Sequence, residues 1–435
     1  MALGGGKWTS QNKELPGSYI NHISLATASA ALSDRGICTM PLELDWGADD
    51  KVFTVTNEEF QKNSLALLGY AYTDDRLKGL RDLFAGAKTL YAYRLNSGGE
   101  KAKNDYATAR YSGVRGNALK IVIRTNADDE SMFDVLTYMD TEKVDEQTVA
   151  NASGLIANDY VTFQTDMGLE LSAGMPLTGG TNGDVTGGSY QSYADRIESF
   201  RYNTMGIVTD DAKTISLFNA FNKRMRDEEG MNFQLVTYRN PADYLGIISV
   251  KNKTTDTGWP EASLVYWVTG KQCSCPVQSS LEAVRYNGEF TPDTSYTQAD
   301  LKKAIKNGEF VLHNVDENVE VLVDINTLVT TTENCGDVFK ENQTVRVIDQ
   351  LGNDDAVCFN GKYRGKVPND AAGRNSLWSD LVKIRKELLK LRAIENFSDT
   401  DVSVSQGETK KSIVVESTIT VVNAMSQMYM TNVVK

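Results

Sequence analysis

Two histidines, His22 and His313, are the whole imidazole supply of the 435-residue chain. A zinc site, a Ser-His-Asp triad or a Cys-His pair each needs a histidine beside particular partners, and neither of these sits in a ligand-spaced cluster. Cys273 and Cys275 make a Cys-Ser-Cys pair. One intervening residue is too tight for the two-residue spacer of a zinc knuckle, and no second pair follows. Cys38, Cys335 and Cys358 are scattered, so the five cysteines form no disulfide framework and read as reduced, buried thiols.

The glycine loops invite a phosphate-binding reading. No Gly-x4-Gly-Lys-[Ser/Thr] run occurs, and Gly113-Val114-Arg115-Gly116-Asn117 lacks the third glycine and following helix of a dinucleotide site. Turn geometry explains these loops better. Carboxylates come in adjacent pairs at Asp49–Asp50, Asp74–Asp75, Asp128–Asp129, Asp210–Asp211 and Asp354–Asp355. General acid–base work needs two carboxyls held in a cleft, whereas neighbours beside turn signals are solvated faces or helix caps. No catalytic, cofactor-binding or metal-ligating residue is assigned. The chain is expected not to be an enzyme and to need no cofactor.

The elements around these residues suggest layers. Residues 57–70 carry Phe60, Leu65 and Leu68 at helical spacing, with Asn57 as N-cap and Glu58 and Glu59 in the first turn. Residues 74–85 repeat the pattern, and 89–95 read as an aromatic-rich strand, so an α/β layer is expected. Between 97 and 176 short alternating runs at 119–125, 132–139 and 160–163 are punctuated by Gly, Asn and Asp, which predicts a β-rich insertion. Five glycines in 177–188 predict a returning loop. Helices are then expected at 190–200 and 211–229, the latter with Ile215, Phe218, Phe221 and Met225 on one face, among strands at 206–209, 233–238 and 246–250. A short helix at 298–307 and a hairpin of 309–314 with 319–324 follow. The last hundred residues form a third unit, with a helix at 375–396 bearing Leu377, Leu381, Ile384, Leu388 and Leu391, then strands at 402–404 and 412–422.

Composition bounds the class. Hydrophobic residues make up 41% and charged residues 24%, as in soluble globular proteins, and a chain of 435 residues is long enough for several domains. The formal charge of −13 disfavours chain-wide attraction to nucleic acid or anionic lipid. No apolar run approaches the roughly 20 residues that span a bilayer, so no membrane insertion is expected. Residues 1–13 lack the apolar core of a secretory signal, so synthesis and assembly are expected in the cytoplasm.

Two features stand out. The 375–396 helix gathers Lys383, Lys386 and Lys390 on one face with Arg385 and Arg392 nearby, which reads either as a solvated helix back or as a stripe that would dock an acidic surface. Chain ends normally fray into polar sequence, yet here Ile413, Val415, Ile419 and Val421 alternate as in a strand, and Met428, Met430, Val433 and Val434 carry apolar character onward. Such an end adds as an edge strand to its own sheet or to a neighbour's. The Gly-flanked N-terminal arm with Trp8 could join the same exchanged sheet.

These ends and several internal stretches resemble the tail sheath proteins of contractile phages and phage-tail-like bacteriocins, particularly of Gram-positive hosts. The stretches are Pro16-Gly17-Ser18-Tyr19-Ile20-Asn21, Tyr111-Ser112-Gly113-Val114-Arg115-Gly116-Asn117, Asn158-Asp159-Tyr160-Val161, Leu177-Thr178-Gly179-Gly180-Thr181-Asn182-Gly183, Asp324-Ile325-Asn326-Thr327-Leu328 and Phe359-Asn360-Gly361-Lys362. Each is ordinary turn or strand chemistry; their order and spacing carry the likeness over nearly the whole chain.

The resemblance implies a multidomain mixed α/β chain. Residues 1–18 form an N-terminal arm, 19–96 and 177–330 an α/β polymerising core, 97–176 a β-rich outer insertion, 331–411 a C-terminal domain and 412–435 a C-terminal strand arm. It implies strand exchange through Trp8, Ser18, Tyr19, Ile413, Val415, Ile419, Val421, Met428, Met430 and Val433, and tube contact through Lys383, Arg385, Lys386, Lys390 and Arg392. The implied partners are further copies in hexameric rings, a tail tube protein, and baseplate and terminator proteins. The alternatives are a cytoplasmic α/β enzyme, disfavoured by the shortage of histidines and phosphate loops, and a surface-array protein, disfavoured by the missing secretion signal.

Overall fold

The computed structural model describes residues 34–434, which form two compact units: residues 34–350 with 421–434, and residues 351–420. The N-terminal arm, with Trp8, Ser18 and Tyr19, lies outside the described residues. The architecture is mixed α/β and multidomain.

A seven-stranded sheet organises the large unit. In spatial order its strands are Glu309–Phe310, Ile247–Val250, Gln234–Tyr238, Thr204–Gly206, Ile37–Leu42, Thr89–Arg94 and Val52–Thr56. All neighbouring pairs run parallel except the last, where Val52–Thr56 is an antiparallel edge. Strands so buried read as apolar on both faces. Cys38, Met40 and Leu42 face a core made with Phe60, Leu80, Leu83, Leu264 and Trp267. Met205, Leu235 and Ile247 join a second core with Tyr193, Ile197, Phe218, Phe221 and Met225. Helices therefore cover both faces, a doubly wound arrangement.

Local chemistry sets the helix limits. The helix Asn57–Leu68 is capped one residue earlier than the sequence suggested. Thr56 Oγ1 accepts from the Glu59 amide at 3.2 Å while Glu59 Oε2 accepts from the Thr56 amide at 3.0 Å, a reciprocal capping box. Asp211 caps Ala212–Asp227 by accepting from Thr214 N at 2.8 Å. Several expectations shift: the 206–209 strand lies at Thr204–Gly206, the 190–200 helix starts inside the glycine loop at Gly187, the 74–85 helix divides into Asp75–Leu77 and Lys78–Phe84, the 375–396 helix lies at Ala371–Lys390, and the 309–314 strand divides. Glu309–Phe310 edges the large sheet, while Leu312–Val315 pairs with Asn318–Val321 around Asp316. The helices Leu264–Ser274 and Asn342–Cys358 were not anticipated. Among the described residues no helix is long and apolar enough to cross a membrane.

Between Arg94 and Gly187 the chain builds a β unit. Glu142–Val149, Phe133–Met139, Leu119–Thr125 and Ser172–Pro176 form an antiparallel sheet in that order, and Ala107–Ala109 pairs with Val161–Phe163. Leu119, Ile121, Ile123, Val135, Met139 and Val161 fill its interior together with Trp46, which comes from the loop after the first sheet strand.

The small unit is built on the helix Ala371–Lys390, opened by Asp370 accepting from Gly373 N at 2.7 Å. A hairpin of Val402–Gln406 and Ile413–Ser417, in register at Val404 opposite Val415, is fixed to it by Trp378 Nε1 donating to Val402 O at 2.9 Å.

Candidate assembly surfaces

Among the described residues, the C-terminal segment carries a run of exposed apolar side chains. Met425, Met428, Tyr429, Met430, Val433 and Val434 are each more than two-thirds exposed. Isolated exposed apolar residues need no explanation, but a contiguous run of this kind marks a contact surface. The segment from 422 to 434 has no secondary structure, yet its root is held firmly. The Gln343 amide donates to Val422 O at 3.1 Å and accepts from Ala424 N at 2.9 Å, taking both sides of the main chain as a partner strand would. Thr344 Oγ1 reaches Asn423 Oδ1 at 3.1 Å, and Ser426 Oγ donates to Glu282 Oε1 at 2.5 Å. Beyond that point, among the described residues, 427–434 make only the bond from Tyr429 Oη to Gln427.

The other proposed arm residues divide. Ile413 and Val415 sit in the hairpin strand, Val421 in the two-residue strand Thr420–Val421, and Ile419 in the two-residue link between them. Met428, Met430 and Val433 lie in no strand. The expected continuous strand at 412–422 is therefore interrupted.

The basic helix needs one correction. Arg385 is not on the exposed face: its side chain is 2% exposed and grips Asp355 with both terminal nitrogens, at 2.6 and 2.7 Å. A planar guanidinium suits such a two-pronged pairing. Position 385 falls between Leu381 and Leu388 on the apolar stripe, a signal present in the sequence. Lys383, Lys386 and Lys390 are exposed on one side, with Lys386 bonded to Asp399 at 2.8 Å and Lys390 to Glu387 at 2.7 Å. Arg392, also exposed, follows the helix end in a left-handed conformation, φ 59°.

Beneath the tail root lies a buried polar knot that no sequence pattern disclosed. Asp324 is fully buried and accepts from Gln272 Nε2 (2.6 Å), Leu281 N (3.0 Å), Asn342 Nδ2 (2.9 Å) and Arg346 Nη2 (2.9 Å). Arg346, equally buried, also donates to Gln272 Oε1 at 2.6 Å, and its Nε has no partner. Burial and the nearby Arg346 guanidinium push Arg35 down to about 10. Burial, with Asp324 and Glu282 close by, pushes Glu341 up to about 7.

A raised carboxyl means that the folded state binds the Glu341 proton more tightly than the unfolded chain does. Its stabilising effect is complete below about 4.5 and is lost as pH rises toward 7. Glu341→Gln should therefore be more stable to urea than the native chain at pH 8, by about 1 kcal/mol once partial exposure is discounted, and match it near pH 4.5. Equal midpoints at both pH values would remove Glu341 from the balance.

Of the residues weighed for chemistry, His22 lies outside the described residues. His313 lies in the hairpin opposite Glu320. Cys38, Cys273, Cys275 and Cys358 are buried free thiols, and Cys335 is half-buried. Asp74 caps a turn by accepting from Arg76 N, Asp129 accepts from Ser131 N, and Asp49 and Asp355 pair with arginines.

Comparison with known proteins accounts for nearly all of the described chain. Family models match in series: the tail sheath protein Gp18 domain III N-terminal region at residues 35–95, the phage tail sheath protein beta-sandwich domain at 86–182, the phage tail sheath protein central domain at 183–327, and the phage tail sheath C-terminal domain at 336–435. A sheath tail protein from Desulfitobacterium hafniense is 35% identical, covers 95% of this chain and 99% of its own, and superposes with a TM-score of 0.80. The phage-like element PBSX protein XkdK of Bacillus subtilis (strain 168) is 30% identical over 98% of each chain. The helical sheath of the anti-feeding prophage in its contracted state shares the fold at 10% identity, with a TM-score of 0.59 over 97% of this chain and 99% of its own. With tail-sheath domains matched in series and a sheath tail protein aligned end to end at 35% identity, the chain belongs to the phage tail sheath proteins.

Proposed function

We propose that the chain polymerises helically around a tail tube by lending its terminal segments to neighbouring copies, and that the sheath contracts by rigid-body rearrangement of subunits to drive the tube through a target envelope. The observation that carries this is the C-terminal tail: fastened at residues 422–426 and apolar and uncovered beyond. A segment held at its root and bare at its tip suits addition to another copy's sheet, where main-chain bonds supply affinity. Contact between non-identical faces that does not close on itself gives an open helix. The fold shared with a contracted helical sheath supports a second packing of the same subunit.

In this scheme the four arm positions Ile413, Val415, Ile419 and Val421 stay with the body, and Met428, Met430 and Val433 reach a neighbour. The exposed lysines Lys383, Lys386 and Lys390, with Arg392, face an acidic tube. Hexameric rings, baseplate and terminator partners, and assembly in the bacterial cytoplasm before release in a phage or phage-tail-like particle complete the proposal. The chain performs no catalysis in it, since the work comes from added interface. Negative-stain electron microscopy of the purified protein tests the scheme: tubes or stacked rings are expected, and a discrete small oligomer at every concentration would refute polymerisation.

A further inference from the structure

In an open parallel sheet, ligands bind outside the carboxyl ends of the strands where the strand order reverses. Here the order reverses at Ile37–Leu42, with Thr89–Arg94 on one side and Thr204–Gly206 on the other. The loops leaving Ile37–Leu42 and Thr89–Arg94 are meshed with the β unit, beside a cleft of about 390 Å³.

Arg94 ends its strand with a side chain 0% exposed. It donates to Gly47 O (3.3 Å), Asp49 Oδ1 (3.0 Å) and Asn96 Oδ1 (3.3 Å) on the core side, and to Ser112 O (2.8 Å), Ser112 Oγ (3.1 Å) and Asn182 Oδ1 (3.4 Å) on the other. Asn182 Nδ2 donates to Asp45 Oδ1 at 2.7 Å, and its Oδ1 accepts from Val114 N at 3.1 Å. The backbones approach so closely that side chains are excluded. A Cβ at Gly113, already at φ 129°, would stand 2.0 Å from Asp45 O, and one at Gly183 would stand 1.9 Å from Ser97 O. The two crossings between sheet and β unit also pair with each other, through Lys103 and Thr178 at 2.9 and 3.0 Å and through Glu100 and Thr181 at 3.1 Å.

We propose that Arg94 and the two glycine loops, 111–117 and 177–183, form a rigid joint that makes the parallel sheet and the β unit one body. Two covalent crossings alone would leave the β unit free to swing, the default for domains joined by small polar contacts. A buried guanidinium bonded to both sides removes that freedom, because any opening breaks its charge-assisted hydrogen bonds on one side. The place where related sheet topologies hold a ligand is here used to seat part of the same chain.

Hydrogen exchange on the unassembled subunit tests this, so the outcome is independent of whether the chain polymerises. In the native chain the amides of Lys103, Gly113, Thr178 and Gly183 should exchange in step with those of the Gln234–Tyr238 strand. In Arg94→Lys they should exchange about tenfold faster or more, with the Gln234–Tyr238 amides unchanged, since several charge-assisted bonds are lost. Asn182→Ala, which removes only the bridging amide, should give the same pattern at smaller amplitude and decides the matter if the first variant does not fold. Native joint amides exchanging well ahead of the sheet would overturn the proposal, as would variants in which joint and sheet accelerate equally.

Discussion

Removing residues 423–435 should leave a subunit that folds and melts within a few degrees of the intact chain but forms no tubes. The body loses little: Ala424 N, Asn423 and Ser426 leave hydrogen bonds at the rim, each worth about 1 kcal/mol. The assembly loses much more. Covering Met425, Met428, Tyr429, Met430, Val433 and Val434 on a neighbour is worth roughly 1.5–3 kcal/mol apiece. Fixing the backbone of that segment costs roughly 1–2 kcal/mol per residue, so the two terms nearly cancel. Main-chain pairing with the neighbour must supply the surplus. Met430→Pro, which deletes one amide donor, should then impair assembly far beyond the loss of one side chain. Electron microscopy and sedimentation of both variants give the readout, and normal tubes from the truncated chain would end the C-terminal exchange scheme.

The second large effect is expected at the buried knot, and it should be asymmetric. Breaking a buried ion pair from one side costs about 3–5 kcal/mol because the partner charge is left in a dry interior. Arg346→Met leaves Asp324 with three N–H donors, from Gln272, Leu281 and Asn342. Asp324→Ala leaves Arg346, among the described residues, with hydrogen bonds to Gln272 and the Ser279 carbonyl and with Asp349 as the remaining nearby carboxylate, and near Arg35, another buried cation. The aspartate variant should therefore be the less stable of the two, and the double variant more stable than Asp324→Ala alone. Urea unfolding of the three proteins measures this; equal losses would show that the donors around Asp324 do not matter.

What the sequence disclosed follows what water touches. The helix Ala212–Asp227 was legible because Ile215, Phe218, Phe221 and Met225 alternate with a solvated face. Leu264–Ser274 was not, because it is buried on all sides, from Leu264 and Trp267 round to Gly270 and Gln272, and a helix without a wet face has no period to read. Asn342–Cys358 hid for the opposite reason: Asn342, Gln343, Thr344, Arg346 and Asp349 look like a solvent face and are buried. The edge strand Glu142–Val149 offers only Val144 and Val149 to the core among polar and charged residues, as edges often do, and so resembles a loop. The site divides the same way. The apolar tail was visible because it breaks the rule for chain ends, whereas its anchor at Gln343 lies some 80 residues upstream and obeys no spacing. Arg385 was misplaced because a charge run suggests an outer face, and its partner Asp355 is joined to it only by the fold.

The grip of Gln343 has a consequence for speed. Side chains of Gln343, Thr344 and Glu282, not a partner strand, hold residues 422–426, and the amides and carbonyls of residues 427–434 are tied to nothing among the described residues. No bond to a described residue has to break before the tail docks. Growth of the polymer is then governed by encounter and ordering, not by unzipping, and should quicken with concentration while responding only weakly to temperature.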